Sequence, residues 1–404
     1  MRTVSIAVLL CLAACSSDEK NEPGSGAGAG TGGMTTPGGG AGNAGAAGSA
    51  GASGSAGASG SGGVPSGGSG GAMTGCPPAL DVGARLVGRF DGCDPAGPRF
   101  AWSGAGLVAR FRGPSIALRL KDRPNQYTVL IDGTLTPTLV TTAGESLYPL
   151  ADDLPDGEHV LEVYRRTEAS FGSTVVLGLE AQGGELLEPP AASARHIEVV
   201  GDSISCGYGN EGANATCPFS AETENHYLTY GALLARQFEA ELSTIAWSGK
   251  GVVSNYNGDK TDPMPVLYGR AVPNDAKSSW GFGSRAQAVI VNLGTNDYST
   301  ANDPSDADFV DTYRTLLERI RQNYPDAFIL CTVGPLLSGT DLSTARANIA
   351  AAVAARNDAG DARVKTHPLT TPNASPGCDY HPSVATHAAM AAELAPVLAG
   401  ELGW

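Results

Sequence analysis

Across residues 185–194 the apolar period of the chain changes once, and that change constrains the fold more than any other feature. Ahead of it, from Leu80 to Leu187, apolar residues alternate in short runs at 107–111, 116–120, 127–131, 160–164 and 175–179. A period of two turns one face of each run toward a core and the other toward solvent, which is the pattern of β-strands. Asp132-Gly133 and Pro155-Asp156-Gly157 supply turns, and no helical stripe intervenes. An antiparallel β-sandwich over 76–188 is therefore expected.

Beyond Pro189-Pro190, strands alternate with helices. Strand-like runs occupy 197–200, 242–246, 288–293 and 328–333. Helical patterns cover 227–238, 343–356 and the stretch after Pro382. A further helix, begun by a Ser305-x-x-Asp308 cap, aligns Phe309, Tyr313, Leu316, Leu317 and Ile320 on one face. This alternation predicts an α/β domain over 195–404, a parallel sheet between helices. Ligands of such sheets bind at the carboxyl ends of the strands, so chemistry is sought there.

The remaining 75 residues do not have the composition of a core. Val4 to Ala14 is an apolar run behind Arg2, too short to cross a bilayer, and it ends in Leu12-Ala13-Ala14-Cys15. This resembles a bacterial lipobox, so 1–15 is read as a lipoprotein signal peptide with Cys15 as the lipidated residue. Ser16 after Cys15, by analogy with known lipoproteins, favours an outer-membrane or cell-surface location. Residues 16–75 are mostly Gly, Ala and Ser, and a flexible tether is expected there. With 26 Lys+Arg against 41 Asp+Glu the formal charge is −15, and no basic run occurs, which argues against a nucleic-acid partner. Export makes disulfides the leading reading of Cys76, Cys93, Cys206, Cys217, Cys331 and Cys378. Proximity favours Cys76 with Cys93 and Cys206 with Cys217, leaving Cys331 for Cys378. The spacings lack CxxC and HxxxH, so no metal site is expected.

Four segments fall at strand ends. Gly201-Asp202-Ser203 follows the 197–200 run, where a serine would project into the crevice, although the same residues also make an ordinary capped turn. Gly249, after the 242–246 run, can bring a backbone N–H close to a ligand. Asn296, after the 288–293 run, can donate to a developing oxyanion, and it also fits a turn-forming Asn-Asp pair. His381 combines a loop position with the nearby carboxylate of Asp379, whereas His387 is read as packing inward from the last helix.

Together Ser203, Gly249, Asn296 and His381 resemble, in order, the diagnostic residues of the SGNH hydrolases, also called GDSL esterases. The stretches 201–210 (GDSISCGYGN), 248–251 (SGKG), 293–297 (LGTND) and 379–387 (DYHPSVATH) are similar to family 2 carbohydrate esterases. The resemblance implies an N-terminal jelly-roll sandwich before an SGNH hydrolase domain, and removal of acetyl groups from plant polysaccharides such as xylan or mannan. It implies Ser203 as nucleophile and His381 as general base and acid, with Asp379 orienting His381. The oxyanion hole it implies is built from Ser203, Gly249 and Asn296. Asp379 and His381 are one residue apart rather than two, a spacing that family 2 shares, and some members hold the histidine with a backbone carbonyl instead. Trp280, Tyr208 and Tyr380 are expected to bind substrate, and Tyr256 is another candidate for the cleft. The implied partners are an acetylated polysaccharide or oligosaccharide and, through Cys15, a membrane; no cofactor is implied. Two other functions fit the same residues: a GDSL lipase or thioesterase for longer acyl chains, and a non-catalytic glycan-binding surface lipoprotein.

Overall fold

The computed structural model describes residues 80–283 and 285–404. Cys15, the 16–75 segment and Cys76 lie outside the described residues.

The first half folds as two antiparallel sheets face to face. One runs in the order Arg85–Val87, Gly106–Arg112, Glu158–Arg165, Gln126–Ile131, Thr134–Leu135, and Glu185–Leu187 and Leu139–Val140 pair onto it. The other runs Arg99–Phe100, Thr174–Glu180, Ile116–Asp122, Gly144–Ala151. All five runs with period-two alternation lie within these strands. Their inward residues, among them Phe111, Leu118, Tyr127, Leu161 and Val176, make one buried core. The Gly144–Ala151 strand has no period signal because none of its residues is fully buried. It lies at the sheet edge, where Pro149 removes no ladder bond that a neighbour needs.

The second half is a five-stranded parallel sheet in the order Glu241–Ala246, His196–Gly201, Ala288–Asn292, Phe328–Thr332, Val364–Thr366. Asp306–Asn323 and Gly339–Asp358 cover one face, and their Phe309, Tyr313, Leu317 and Ile349 pack on Val289, Val291 and Ile329. Tyr230–Gln237 and Val384–Leu402 cover the other, with Tyr230, Leu234, Met390 and Leu394 against Val199, Ile290 and Leu330. Strand order reverses on either side of His196–Gly201, so the crevice of the sheet opens beside that strand's end. The register aligns Gly201 with Ala246 on one side and with Asn292 on the other, so three loops leave the sheet at one level.

The two halves belong to one compact unit. Arg89 of the sandwich is fully buried in the other half, donating to Glu198 of the His196–Gly201 strand at 2.9 Å. Glu198 also accepts from the hydroxyls of Tyr268 and Tyr324 at 2.8 and 2.9 Å, so the buried charge pair is well solvated by the protein itself.

Two of the pairings expected by proximity, Cys206 with Cys217 and Cys331 with Cys378, do not form. Cys217 pairs with Cys378 across 161 residues, while Cys206 and Cys331 are free and buried. Cys206 ends a one-turn helix with its side chain inward, and Cys331 sits mid-strand in the sheet, so neither can reach the partner that sequence distance suggested. Cys93 is disulfide-bonded.

Candidate active site

The nucleophile candidate is set by a strand-to-helix turn. Gly201 ends its strand where an added Cβ would lie 2.1 Å from Ser205 Oγ, so only glycine fits. Asp202 caps the Ser203–Cys206 helix by accepting the Ile204 N–H at 3.0 Å, which leaves Ser203 as its first residue. Burial pushes the Asp202 carboxyl up to about 7.

His381 comes from the loop before the last helix. Its Nε2 lies 2.8 Å from Ser203 Oγ, and its Nδ1 lies 2.9 Å from the backbone carbonyl of Asp379. A carbonyl only accepts, so Nδ1 carries the proton and Nε2 is free to take one from the serine. The Asp379 carboxylate does not touch the imidazole: it accepts from the Tyr208 hydroxyl at 3.0 Å. The cause is backbone conformation, since Asp379 and Tyr380 take φ of 48° and 62°, turning the carbonyl toward the ring and the side chain away. The main-chain carbonyl of Asp379, and not its carboxylate, therefore meets the His381 ring.

The third strand end supplies a turn. Lys250 N–H closes it on Trp247 O at 3.2 Å, with Gly249 at φ 78° in its third position. Asn296 is 6% exposed and spends one of its two amide N–H groups on Lys250 O at 2.9 Å, keeping the other for a ligand. The neighbouring Asp297 accepts the N–H groups of Val252, Val253 and Ser254 at 2.8, 2.8 and 3.0 Å and so fixes the loop that follows Gly249. That role was hidden in the sequence, where Asp297 reads as half of a turn.

Burial lowers the His381 pKa from its usual 6.5, a shift that the Asp379 carbonyl and charge partly offset. The base must be neutral to act, so kcat/KM is expected to rise with pH through a midpoint below 6.5, with the site already competent in mildly acid solution. Asp379→Asn retains a residue tolerant of positive φ and removes the charge. It should lower the midpoint further and change kcat by no more than about tenfold. A pH–rate series on both proteins checks this, and a collapse of Asp379→Asn to the level of His381→Ala would contradict support by the carbonyl.

Of the residues expected to bind substrate, Tyr208 stands against the pair, its ring 4.3 Å from His381 and stacked at 3.7 Å on Phe219. Phe171 of the sandwich continues this row 6.0 Å from Phe219. Tyr380 is 61% exposed beside His381, and Tyr256 is 53% exposed, its own N–H donating to Gly249 O at 2.8 Å. Trp280 is not brought to this set: its ring lies 5.7 Å from the Arg89 guanidinium, packed at the junction of the halves. His387 is fully buried under Tyr230 and accepts the Tyr230 N–H.

Among the described residues, Glu168, Cys206 and Glu224 gather ligand atoms within 4.8 Å of one another, all buried. Both Glu168 oxygens already accept bonds, from Ser170 and Ser248, and burial pushes the Cys206 thiol and the Glu224 carboxyl well up, toward their protonated forms.

Comparison with known proteins finds relatives for both halves of the chain. The family described as Carbohydrate esterase 2 N-terminal matches residues 86–190, and the GDSL-like Lipase/Acylhydrolase family matches 199–389. The cellulase/esterase CelE of Acetivibrio thermocellus is 38% identical over 321 residues, which are 78% of this chain and 39% of CelE. An acetylxylan esterase / glucomannan deacetylase of Cellvibrio japonicus is 28% identical over 267 residues, covering 63% of this chain and 74% of that protein. The structure of a family two carbohydrate esterase from Clostridium thermocellum in complex with cellohexaose superposes with a TM-score of 0.76 at 38% identity, covering 80% of this chain and 99% of that one. A sandwich joined to a GDSL-type α/β domain, with a serine just past a strand end and a histidine from the loop before the last helix, defines a carboxylic ester hydrolase. The chain belongs to family 2 of the carbohydrate esterases.

Proposed function

We propose that this protein removes O-acetyl groups from extracellular plant-type polysaccharides such as acetylated xylan or mannan, using Ser203 and His381. The observation that carries the reading is the 2.8 Å contact from Ser203 Oγ to an imidazole whose other nitrogen is held by a carbonyl. In the reaction His381 Nε2 takes the Ser203 proton as Oγ attacks the acetyl carbonyl. The oxyanion is met by the N–H groups of Ser203 and Gly249 and by the free amide N–H of Asn296. His381 then gives its proton to the departing sugar oxygen, leaving acetyl-Ser203. Water, deprotonated by the same nitrogen, releases acetate and restores the serine.

A polysaccharide substrate is supported by the Cellvibrio relative named as an acetylxylan esterase / glucomannan deacetylase and by the cellohexaose held by the Clostridium structure. The exposed rings of Tyr256 and Tyr380 are offered as sugar-stacking surfaces. Tethering to a membrane through Cys15 is supported by the apolar run that precedes it. The test is acetate release from acetylated xylan and glucomannan, with acetate and octanoate 4-nitrophenyl esters alongside. Acetyl substrates should be preferred. Activity that climbs with acyl length would replace this reading with a lipase or thioesterase, and equal release by wild type and Ser203→Ala would leave a glycan-binding protein.

A further inference from the structure

We propose that Glu168, a residue of the β-sandwich half, is a positioning residue for the oxyanion hole, acting through the backbone N–H of Ser248. The inference rests on reading Ser203, Gly249 and Asn296 as the esterase site.

Glu168 Oε2 accepts the Ser248 N–H at 2.7 Å, a short bond to a side chain whose residue is only 3% exposed. Ser248 is the second residue of the turn that presents Gly249 N–H, so this bond grips the turn on its strand side. Asn296, bonded to Lys250 O, grips it on the other side. An acceptor oxygen held in a dry site makes a stronger and more directional bond than water would, which suits a strut.

The strut is itself anchored. The Arg165 guanidinium, fully buried, donates to the carbonyls of Thr167, Glu168 and Gly172 at 2.9, 2.9 and 2.8 Å, fixing the segment that leaves the Glu158–Arg165 strand. Asn274 donates to Ala169 O at 2.7 Å, and Ser170 Oγ to Glu168 Oε1 at 2.8 Å. The Glu168 N–H is accepted by Glu224 Oε2 at 3.0 Å. Cys206, the last residue of the helix that Ser203 begins, lies against both carboxyl groups, so one buried cluster touches the nucleophile's helix and the oxyanion turn together. The α/β half contains the attacking pair, while the sandwich contributes the acceptor that holds one donor of its oxyanion hole in place.

The test compares Glu168→Ala, Glu168→Asp and Glu168→Gln in the full chain with wild type and Ser203→Ala. The readouts are kcat and KM on 4-nitrophenyl acetate, and inhibition by a boronic acid, whose tetrahedral adduct with Ser203 uses the oxyanion hole. Glu168→Asp keeps the charge and withdraws the oxygens by one methylene, and Glu168→Gln keeps an acceptor oxygen in reach. Expected are a fall in kcat of about tenfold or more for Ala and Asp with KM within about threefold, and a matching loss of boronate affinity. Gln should stay within about threefold of wild type. Full kcat in Asp or Ala, a change confined to KM, or unchanged boronate affinity beside a lowered kcat would overturn the assignment. Should Ala fail to fold, the Asp and Gln pair decides alone. A wild type no faster than Ser203→Ala would overturn the esterase reading itself.

Discussion

Ser203→Ala is expected to lower kcat on an acetyl ester by roughly 10⁴-fold or more, about 5 kcal/mol of lost transition-state stabilisation, with little change in substrate affinity. The substitution removes the attacking oxygen and leaves the backbone N–H groups and the sugar-facing rings in place. Because Ser203 Oγ and His381 Nε2 act as one unit at 2.8 Å, His381→Ala should cost a similar factor. The double variant should be scarcely worse than either single one, since a base without a nucleophile has nothing to deprotonate. Single-turnover rates for the three proteins, with binding of an acetylated oligosaccharide measured separately, test the pair. Losses that multiply in the double variant, or a Ser203→Ala loss below about a hundredfold, would show that the reaction runs elsewhere.

Asn296→Ala carries the next largest effect, a fall in kcat of roughly 10²- to 10³-fold, equivalent to about 3–4 kcal/mol, at nearly constant KM. The residue has two functions that the substitution removes together. One amide N–H is the only side-chain donor assigned to the oxyanion, and the other holds Lys250 O at 2.9 Å on the turn bearing Gly249. Asn296→Asp separates size from chemistry: it retains the volume but offers acceptors toward both the oxyanion and the Lys250 carbonyl. It should therefore be at least as inactive as the alanine variant. Steady-state kinetics on 4-nitrophenyl acetate would decide, and an Asp variant near wild type would remove Asn296 from the oxyanion hole.

How far the sequence could be read follows from which interactions are local. The strands around Phe111, Leu118 and Val176 announce themselves because alternation is a property of neighbours, and the helix through Phe309, Tyr313 and Leu317 does so for the same reason. Ser203, Gly249 and Asn296 were legible because each lies in the segment that leaves a strand, and parallel register then levels the ends. Asp379 was half legible. Its closeness to His381 is local, but which of its oxygens meets the ring depends on two positive φ angles that residue type does not encode. Trp280 failed for a related reason: nearness in sequence to the Asn296 strand says nothing of the side on which Arg89 would draw it. The Cys217 to Cys378 bond and the reach of Glu168 to Ser248 join residues 161 and 80 positions apart, and no local pattern records such closures.

The Cys217–Cys378 bond also has a consequence for when the enzyme can exist. Cys378 lies three residues before His381 and ties that loop to the segment after the nucleophile's helix, closing a ring worth about 5 kcal/mol in the chain-entropy model. A newly made chain in a reducing compartment lacks this tie and holds its general base on a longer, looser loop. Oxidation would then complete the loop that holds His381, and it would couple the proposed activity to an oxidising environment.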